Sequence, residues 1–261
     1  MAKELRRLLI PPDRLRPTGA QGTPVSLALE PAETHYLARV LRFRPGDRLA
    51  VIDGIGHLWT AVLASSDRLL LEQPLHQPLQ EEALPEPAFR LAMAIPKRDA
   101  DLVWRMAAEL GVSQLQPLLA SRGEVRGALP LERWRTIVRE ATEQCERLWL
   151  PQLAEPLRTS SWFSAPLAGF AMIATTRLPN LPRISTCLAR ELSGRLERHG
   201  DSHHAISLAI GPEGGWTPEE EALACENGWL PVSLGPGILR TSTAAIAGLA
   251  VIREALTSSA D

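Results

Sequence analysis

Two glycine-rich segments in the last third of the chain have residue types and spacing that suit a ligand-binding site. The first runs Gly211-Pro-Glu-Gly-Gly215, and the second runs Gly235-Pro-Gly-Ile-Leu-Arg-Thr241. Each follows a short apolar run that predicts a strand, and glycine at a strand end lets the backbone approach a flat ligand closely. Tight strand-to-helix turns without a ligand are the alternative, which is less favoured because the pattern occurs twice.

A helix is predicted to begin directly after each of these segments. Thr217 suits the N-cap, Pro218 suits the first helical position, and Glu220 has the spacing from Thr217 that a capping box requires. The second segment opens residues 244–252, which are apolar on every face of a helix and are therefore expected to be buried in the core. Both segments are thus predicted to join a strand to a helix.

Several familiar catalytic and binding motifs do not occur. The sequence has no phosphate-binding loop, no dinucleotide-binding glycine fingerprint and no nucleophile elbow. His199 and His203 have helical spacing, but the Gly-Asp pair between them indicates a turn, so no metal site is expected. Cys145, Cys187 and Cys225 are scattered, which argues against a disulfide framework or a structural zinc site and favours the reducing cytoplasm.

From residue 89 onward, predicted strands alternate with predicted helices. Apolar runs predict strands over 91–95, 113–119, 170–175, 205–210 and 231–234. Periodic patterns predict helices over 99–110, 130–147, 181–199, 218–227 and 243–256. Strands that alternate with helices are typical of an α/β domain with a mostly parallel sheet.

The first part of the chain has a different pattern, with short strands and turns. Strands are predicted over 25–29, 49–52, 58–63 and 69–72, a short helix over 32–41 and a hairpin turn at Asp53-Gly54. Such short, evenly spaced strands suggest a small β-barrel. Residues 73–88 contain four prolines and three glutamates without periodicity, which is typical of a linker. We therefore predict a barrel over 1–74, a linker over 75–88 and an α/β domain over 89–261.

Composition places the chain among ordinary globular proteins. Hydrophobic residues make up 45% and charged residues 22% of the chain. The longest apolar run is far shorter than the ~20 residues of a membrane span. Membrane, collagenous, disordered and disulfide-scaffold classes are therefore excluded. The net charge of −2 excludes a globally basic nucleic-acid binder.

Basic residues are relatively more frequent near the start of the chain. Residues 1–75 contain ten basic and eight acidic side chains, whereas the remainder contains eighteen and twenty-two. Clustered arginines attract a polyanion, so RNA contact is one interpretation and an ordinary solvated surface is the other. Arg42 has a further alternative, an ion pair with Asp47. The candidate RNA-binding residues are Arg6, Arg7, Arg39, Arg42 and Arg44.

Taken together along the chain, these motifs resemble the RsmE family of SPOUT methyltransferases, which methylate N3 of a uridine in 16S ribosomal RNA. The two glycine-rich segments match the C-terminal signature of that family. His35-Tyr-Leu-x-x-Val-Leu-Arg42, followed by Pro45-Gly-Asp47, matches its N-terminal PUA-like barrel. Glu109-Leu-Gly-Val112 and residues 133–144 match its central region. The resemblance covers nearly the whole chain in the right order.

The resemblance implies a fold, a cofactor and partners. The fold would be α/β, with a C-terminal SPOUT trefoil-knot methyltransferase domain and a small N-terminal PUA-like β-barrel that binds RNA. The cofactor would be S-adenosylmethionine (SAM), held in a bent pose by the knot backbone. The partners would be 16S ribosomal RNA of the small ribosomal subunit and a second copy of the chain in an obligate homodimer, with no metal and no membrane. The cofactor-binding residues that the resemblance implies are Thr175, Thr176, Ile210, Gly211, Pro212, Glu213, Gly214, Gly215, Leu234, Gly235, Pro236, Ile238, Leu239, Arg240 and Thr243.

Methylation at N3 of a uridine requires loss of the imide proton and stabilisation of the negative charge left on the base. Arg240, at the end of the second glycine-rich segment, is the first candidate for a cation that faces uracil O2 or O4, with a salt bridge at the helix entry as the alternative. Glu143 and Arg147 are weaker catalytic candidates, unless they lie on a solvated or dimer-edge helix face. Trp216 is expected in the core rather than as a base-stacking platform.

Two positions depart from the family pattern. Ser242 stands where the family usually has glutamate, and Arg105 stands where it has lysine. A serine can cap a helix but cannot supply a charge. Ser242 therefore leaves open a degenerate relative that binds RNA without transferring methyl groups, although the intact glycine-rich segments argue against it. A SPOUT ribose 2′-O-methyltransferase is the other alternative, and the PUA-like N-terminal match argues against it.

Overall fold

The computed structural model describes residues 5–16, 25–124, 127–176, 178–197 and 205–258. Contacts within the chain divide it into two compact units. The first contains Met1–Leu84 and Thr142–Leu150, and the second contains Pro85–Ala141 and Pro151–Asp261. His199 and His203 lie outside the described residues.

The first unit is built around a six-stranded sheet. Its strands lie in the order β1-β3-β4-β5-β2, with β6 paired to β4. β1 and β3 run parallel, and the other pairs are antiparallel. β6 lies within residues 73–88, for which composition predicts a linker. The strands are β1 (Arg7–Leu9), β2 (Ser26–Ala28), β3 (Arg48–Ile52), β4 (His57–Ser65), β5 (Arg68–Leu71) and β6 (Gln80–Glu81).

The short helix of the first unit changes pitch midway. α1 (Pro31–His35) continues as a π-helical segment over Tyr36–Val40, and Arg42 follows with a φ of +58°. The buried carboxylate of Glu33 accepts hydrogen bonds from the Arg14 guanidinium at 2.7 and 2.9 Å, which anchors this helix. The sequence predicts one regular helix over 32–41, because its apolar spacing carries no sign of the wider turn.

A segment far along the chain completes the first unit. Leu148 is buried in a cluster with Leu9 and Ile52. The backbone N–H of Gly56 donates to the carbonyl of Leu148 at 3.1 Å, and the N–H of Leu150 donates to the carbonyl of Gly54 at 2.9 Å. The turn between β3 and β4 is therefore held by residues that local sequence patterns do not connect to it.

The second unit contains a seven-stranded sheet in the order β10-β8-β7-β12-β11-β13, with β9 paired to β8. Every pair runs parallel, as the alternation of strands and helices predicts. The strands are β7 (Phe89–Ala94), β8 (Gln114–Leu119), β9 (Gln152–Leu153), β10 (Leu157–Arg158), β11 (Gly169–Ala174), β12 (Ala205–Ile210) and β13 (Leu230–Val232). The helices are α2 (Ala100–Glu109), α3 (Leu131–Gln144), α4 (Thr159–Phe163), α5 (Ile184–Glu197), α6 (Pro218–Glu226) and α7 (Thr241–Ser258). The last three residues of α3, 142–144, belong to the first unit.

Helix α7 packs closely on the sheet but is buried on one face only. A Cβ atom on Gly248 would lie 2.5 Å from Leu208 Cδ2, so glycine permits this close approach to β12. Leu249 and Ile252 are fully buried, whereas Ala250 is exposed. The prediction that this helix is buried on every face is therefore wrong within the single chain, because α2, α5 and the sheet cover one side of it.

Candidate functional site

Three neighbouring parallel strands, β11, β12 and β13, bring their carboxyl ends to one edge of the second sheet. The loops that follow these strands enclose a pocket of about 310 Å³. Ligand sites of open α/β sheets lie at such an edge. The lining residues are Ala174, Thr175, Thr176, Ile210, Gly211, Pro212, Glu213, Gly215, Trp216, Glu221, Leu234, Gly235, Gly237, Ile238, Leu239, Thr241 and Ala244.

The pocket brings together most of the residues that the sequence suggested for cofactor binding, from both glycine-rich segments and from the end of β11. Gly214, Pro236, Arg240 and Thr243 are not among its lining residues. Six lining residues were not among the sequence candidates. Gly237 and Thr241 belong to the second glycine-rich segment, at positions to which the resemblance gave no cofactor role, and the other four lie outside both segments. The six residues are Ala174, Trp216, Glu221, Gly237, Thr241 and Ala244.

A tryptophan fixes the shape of the first glycine-rich loop. Trp216 is 2% exposed, and its indole N–H donates to the carbonyl of Ala174 at 3.0 Å. Its ring meets Phe163 edge to face at 5.4 Å, which is a favourable aromatic geometry. A Cβ atom on Gly211 would come within 3.0 Å of the indole, so the loop needs glycine there. Trp216 thus belongs to the core, as the sequence interpretation favoured.

The buried carboxylate of Glu220 ties the same loop to its surroundings. The predicted capping box is present, because Glu220 accepts from the Thr217 N–H at 2.9 Å while the Thr217 hydroxyl accepts from the Glu220 N–H at 3.2 Å. Glu220 also accepts from the Ser121 N–H at 2.9 Å and from the Thr159 hydroxyl at 2.7 Å. Arg122 adds a further tie by donating to the carbonyl of Trp216 at 2.9 Å.

These hydrogen bonds determine the charge state of Glu220. Burial raises the pKa of its carboxyl group, but the N–H groups of Ser121 and Thr217 and the Thr159 hydroxyl lower it, and the net pKa lies below the ordinary value of 4.5. A carboxyl whose pKa is lowered by folding stabilises the folded state above its unfolded pKa, and this contribution disappears as the pH falls through the folded pKa.

Glu220→Gln is therefore expected to destabilise the protein at pH 7, by about 2 kcal/mol for the loss of charged hydrogen bonds in a buried site. The difference from wild type should shrink as the pH falls below 4.5, because the wild-type carboxyl is then progressively protonated. Urea unfolding at pH 7 and at several acidic pH values measures both effects. Glu226→Gln, on the exposed end of α6, is the control, and a pH-independent difference for Glu220→Gln would contradict the assignment.

The second glycine-rich loop is closed by short polar contacts. The Ser233 hydroxyl donates to the carbonyl of Gly235 at 3.0 Å and accepts from its N–H at 3.1 Å. Gly235 has a φ of +134°, a conformation that side chains of other residues rarely adopt. The Thr241 hydroxyl donates to the carbonyl of Gly211 at 2.9 Å, which joins the two loops directly. Ile238, by contrast, lines the pocket with 87% of its surface exposed.

One carboxylate and one hydroxyl form a pair in the pocket wall. The hydroxyl group of Thr175 donates a hydrogen bond to a carboxylate oxygen of Glu221. Thr175 directly follows β11, and Glu221 lies in the first turn of α6. Thr175 is buried and Glu221 is half-buried. The pair places a carboxylate against the pocket at a position that no motif had indicated.

The three catalytic candidates lie in different places. Arg240 is exposed at the residue before α7, and its carbonyl accepts from the Ala244 N–H at 2.8 Å. Glu143 and Arg147 belong to the first unit and do not line the pocket. A carboxylate oxygen of Glu143 accepts from the Leu9 N–H at 2.8 Å, so this side chain fixes the edge of β1.

Arg105 and Ser242, the two residues that depart from the family pattern, do not take part in the hydrogen bond that joins the two glycine-rich loops. Arg105 is on the exposed surface of α2, where its Nε lies 3.7 Å from Glu109 Oε1. Ser242 is half-buried in the first turn of α7. Because the preceding Thr241 makes the hydrogen bond to Gly211, the serine is not needed to join the two loops.

The candidate RNA-binding arginines of the first unit differ in their partners. Arg6, Arg39, Arg42 and Arg44 are exposed. Arg7 instead donates to the carbonyl of Glu146 and forms an ion pair with its carboxylate at 3.3 Å. The alternative pairing of Arg42 with Asp47 is not seen in the described part of the chain, where the Asp47 carboxylate accepts from the Arg44 backbone N–H at 2.7 Å.

In the part of the chain that the structure describes, no group of three or more His, Cys, Asp or Glu side chains is arranged to hold a metal ion. None of the helices described is both long enough and apolar enough to cross a membrane.

Known protein families match both parts of the chain. A family model described as an RNA methyltransferase domain matches residues 84–253, which include both glycine-rich loops. A second, described as an RNA methyltransferase PUA domain, matches residues 29–72 of the first sheet.

Individual relatives and solved structures agree with these matches. Ribosomal RNA small subunit methyltransferase E of Synechocystis is 39% identical over 97% of this chain and 78% of its own length. The protein of that name from Mycobacterium bovis is 30% identical over 84% of this chain and 83% of its own length. A protein of Legionella pneumophila that is described as a methyltransferase, solved with SAM, has a TM-score of 0.75 and 27% identity, covering 97% of this chain and 98% of that one. The small subunit methyltransferase E of Neisseria gonorrhoeae, solved with SAM, has a TM-score of 0.73 and 27% identity, covering 96% and 98%.

These matches confirm the expected fold class, a SPOUT-type α/β methyltransferase domain with an N-terminal PUA domain. The matched RNA methyltransferase domain includes all of the residues that line the pocket. The chain therefore belongs to the ribosomal RNA small subunit methyltransferase E family and is an RNA methyltransferase.

Proposed function

We propose that this protein transfers a methyl group from SAM to N3 of a uridine in 16S ribosomal RNA of the small ribosomal subunit. The observation that carries the proposal is the pocket formed by both glycine-rich loops, in a chain whose relatives are named for methylation of small subunit ribosomal RNA. Two structures of similar fold that contain SAM support the choice of cofactor. Such an enzyme would act where ribosomes are assembled, in the cytoplasm.

The pocket fits this cofactor in its size and in the chemistry of its walls. Gly235 and Gly237 would each direct a Cβ atom into space with no protein atom within 4 Å, so their bare backbone is open to a ligand. Apolar contacts come from Ile210, Leu234 and Leu239, which suit the faces of an adenine ring. When bound, SAM would supply an electrophilic methyl group. We assign the cofactor site to these loops and to Thr175 and Thr176 at the end of β11.

The protein's own part in the reaction is to bind, orient and stabilise charge. The uracil N3–H must lose its proton before nitrogen can form a bond to the methyl carbon, and this leaves negative charge on O2 and O4. We assign the stabilising cation to Arg240, because its guanidinium is exposed beside the cofactor loop. Glu143 and Arg147 remain secondary candidates, and a water or a carboxylate would accept the proton.

We assign RNA binding to the exposed arginines of the first unit. Arg39 is exposed next to Val40, which is itself 60% exposed, and makes no ion pair within the described residues. Arg42 and Arg44 follow it closely on the same surface segment, and Arg6 adds charge from the start of the chain. Arg7 is a weaker candidate, because it is half-buried and its charge is paired with Glu146. Arginines contribute to RNA affinity mainly through phosphate contacts, which release counterions.

Arg39→Gln is expected to weaken binding to 16S ribosomal RNA and to reduce the slope of log affinity against log salt by about 1. Arg48→Gln is the matched control, because Arg48 is in the same unit but its charge is paired with Glu72 at 2.6 Å. Filter binding at several salt concentrations measures both variants. An equal loss for the two variants would mean that total charge, rather than this surface, determines the affinity.

We also propose the knot and the homodimer of the SPOUT superfamily for this chain. The apolar side of α3 does not support the dimer, because Trp134, Val138 and Ala141 are buried in the chain's own core. Support comes instead from α7, where Ala250 is exposed and Ile246 and Val251 are only partly covered. A second copy of the chain would cover this apolar face.

Methyl transfer to isolated ribosomal subunits tests the proposed substrate. Purified protein would be incubated with SAM labelled in its methyl group and with small or large subunits from cells that lack this modification. Label is expected in 16S ribosomal RNA of the small subunit only. Label in the large subunit, or none in either while SAM is bound, would overturn the proposed substrate.

A further inference from the structure

The charged side chains that line the cofactor pocket are all acidic. Among the lining residues, Glu213 and Glu221 carry carboxylates, and none is lysine, arginine or histidine. A fixed negative charge in a confined pocket favours a cationic ligand over a neutral one of the same shape. The pocket therefore has a charge preference, which the motif residues alone do not reveal.

Glu221 is the better positioned of the two carboxylates. It is half-buried and accepts the hydrogen bond of the buried Thr175 hydroxyl, which holds it against the end of β11. Glu213 is exposed, and its carboxylate lies 3.3 Å from the backbone N–H of Lys97, whose ammonium group pairs with Glu124 at 2.7 Å. Water screens an exposed charge more strongly than a half-buried one, so Glu221 should make the larger contribution.

The methyl donor and its product differ in one charge. SAM carries a positive sulfonium, and S-adenosylhomocysteine carries a neutral thioether at the same position. Adenine, ribose, ammonium and carboxylate groups are common to both molecules, so contacts with them cancel in the ratio of the two affinities. A carboxylate in the pocket is one way for the protein to distinguish donor from product.

We propose that Glu221 is a specificity-determining residue that makes the pocket bind the charged donor more tightly than the neutral product. This inference rests on the proposed use of SAM. The carboxylate acts through its charge, and the Thr175 hydroxyl positions it. Because methyl transfer removes the positive charge from the cofactor, the pocket then has a lower affinity for the product, which favours product release.

Calorimetry with three ligands tests the proposal without measuring turnover. The ligands are SAM, S-adenosylhomocysteine and sinefungin, an analogue in which a protonated amine on carbon replaces the methyl sulfonium. Wild type is expected to bind SAM and sinefungin about tenfold more tightly than S-adenosylhomocysteine, which corresponds to about 1.4 kcal/mol. Glu221→Gln should weaken the two cationic ligands about tenfold and leave the neutral product within about twofold.

The control variant is Glu219→Gln, which removes a charge from the same turn of α6 but from an exposed residue that does not line the pocket. It is expected to leave all three affinities unchanged. If Glu221→Gln weakens the three ligands equally, Glu221 contacts a group that they share and the proposal is overturned. If wild type binds none of them, the proposed cofactor itself is wrong.

A second measurement needs no variant and keeps the test valid if Glu221→Gln does not fold. The ratio of SAM affinity to S-adenosylhomocysteine affinity in wild type should fall as ionic strength rises, because salt screens the charge that separates the two ligands. A ratio that does not change between low and high salt would overturn the electrostatic origin of the preference.

Discussion

Arg240→Ala is expected to abolish methyl transfer while leaving SAM affinity within about tenfold of wild type, or ~1.4 kcal/mol. The Arg240 side chain does not line the cofactor pocket and is exposed beside it. Its backbone carbonyl, which accepts from the Ala244 N–H, is retained in the alanine variant. The substitution therefore removes the cation that we propose for the reacting base and keeps the backbone hydrogen bond at the helix entry.

Turnover of small subunits and calorimetry with SAM separate the two roles that Arg240 could have. Arg190→Ala is the control, since it removes an exposed arginine from α5 of the same unit and should keep full activity. Full activity in Arg240→Ala would remove Arg240 from the mechanism. A loss of SAM affinity well beyond tenfold would make it a cofactor-binding residue instead.

Gly235→Val is expected to reduce SAM affinity by at least about a hundredfold, or ~2.7 kcal/mol. Gly235 has a φ of +134°, at which a β-branched residue is strained by ~1–3 kcal/mol, so the loop would change its conformation. The added side chain would also occupy pocket space, because a Cβ atom there meets no protein atom within 4 Å. Calorimetry with SAM measures the loss.

Gly46→Val is the matched control for backbone strain. Gly46 has a φ of +98° and equally open surroundings, but it lies in the turn before β3 in the first unit. Its substitution should lower the melting temperature by an amount similar to Gly235→Val and leave SAM affinity unchanged. Retention of SAM affinity in Gly235→Val would show that the second glycine-rich loop does not form the cofactor site.

Features that depend on neighbouring residues could be predicted from the sequence. The capping box of Thr217 and Glu220 and the start of α6 at Pro218 depend on a few consecutive side chains, and the structure has both. The parallel sheet follows from alternating apolar runs and periodic helices, because this alternation leaves few other architectures. Trp216 was expected in the core and is 2% exposed.

Features that depend on distant pairings could not be predicted in this way. Glu221 lines the pocket because β11 lies beside β12, which brings Thr175 to the first turn of α6. Leu148 is buried in the core of the first unit, although residues 85–141 of the second unit come before it in the sequence. Helix α7 looked apolar on every face, and only the packing shows which face the chain itself covers.

Analysis of the methylated nucleoside determines directly whether N3 of uridine receives the methyl group. Small subunits that lack the modification would be incubated with labelled SAM, and the 16S ribosomal RNA would be digested to nucleosides and separated. Label is expected in 3-methyluridine with wild type and with the Arg190→Ala control, but not with Arg240→Ala. Label in a 2′-O-methylated nucleoside, or no label while the cofactor is bound, would contradict this expectation.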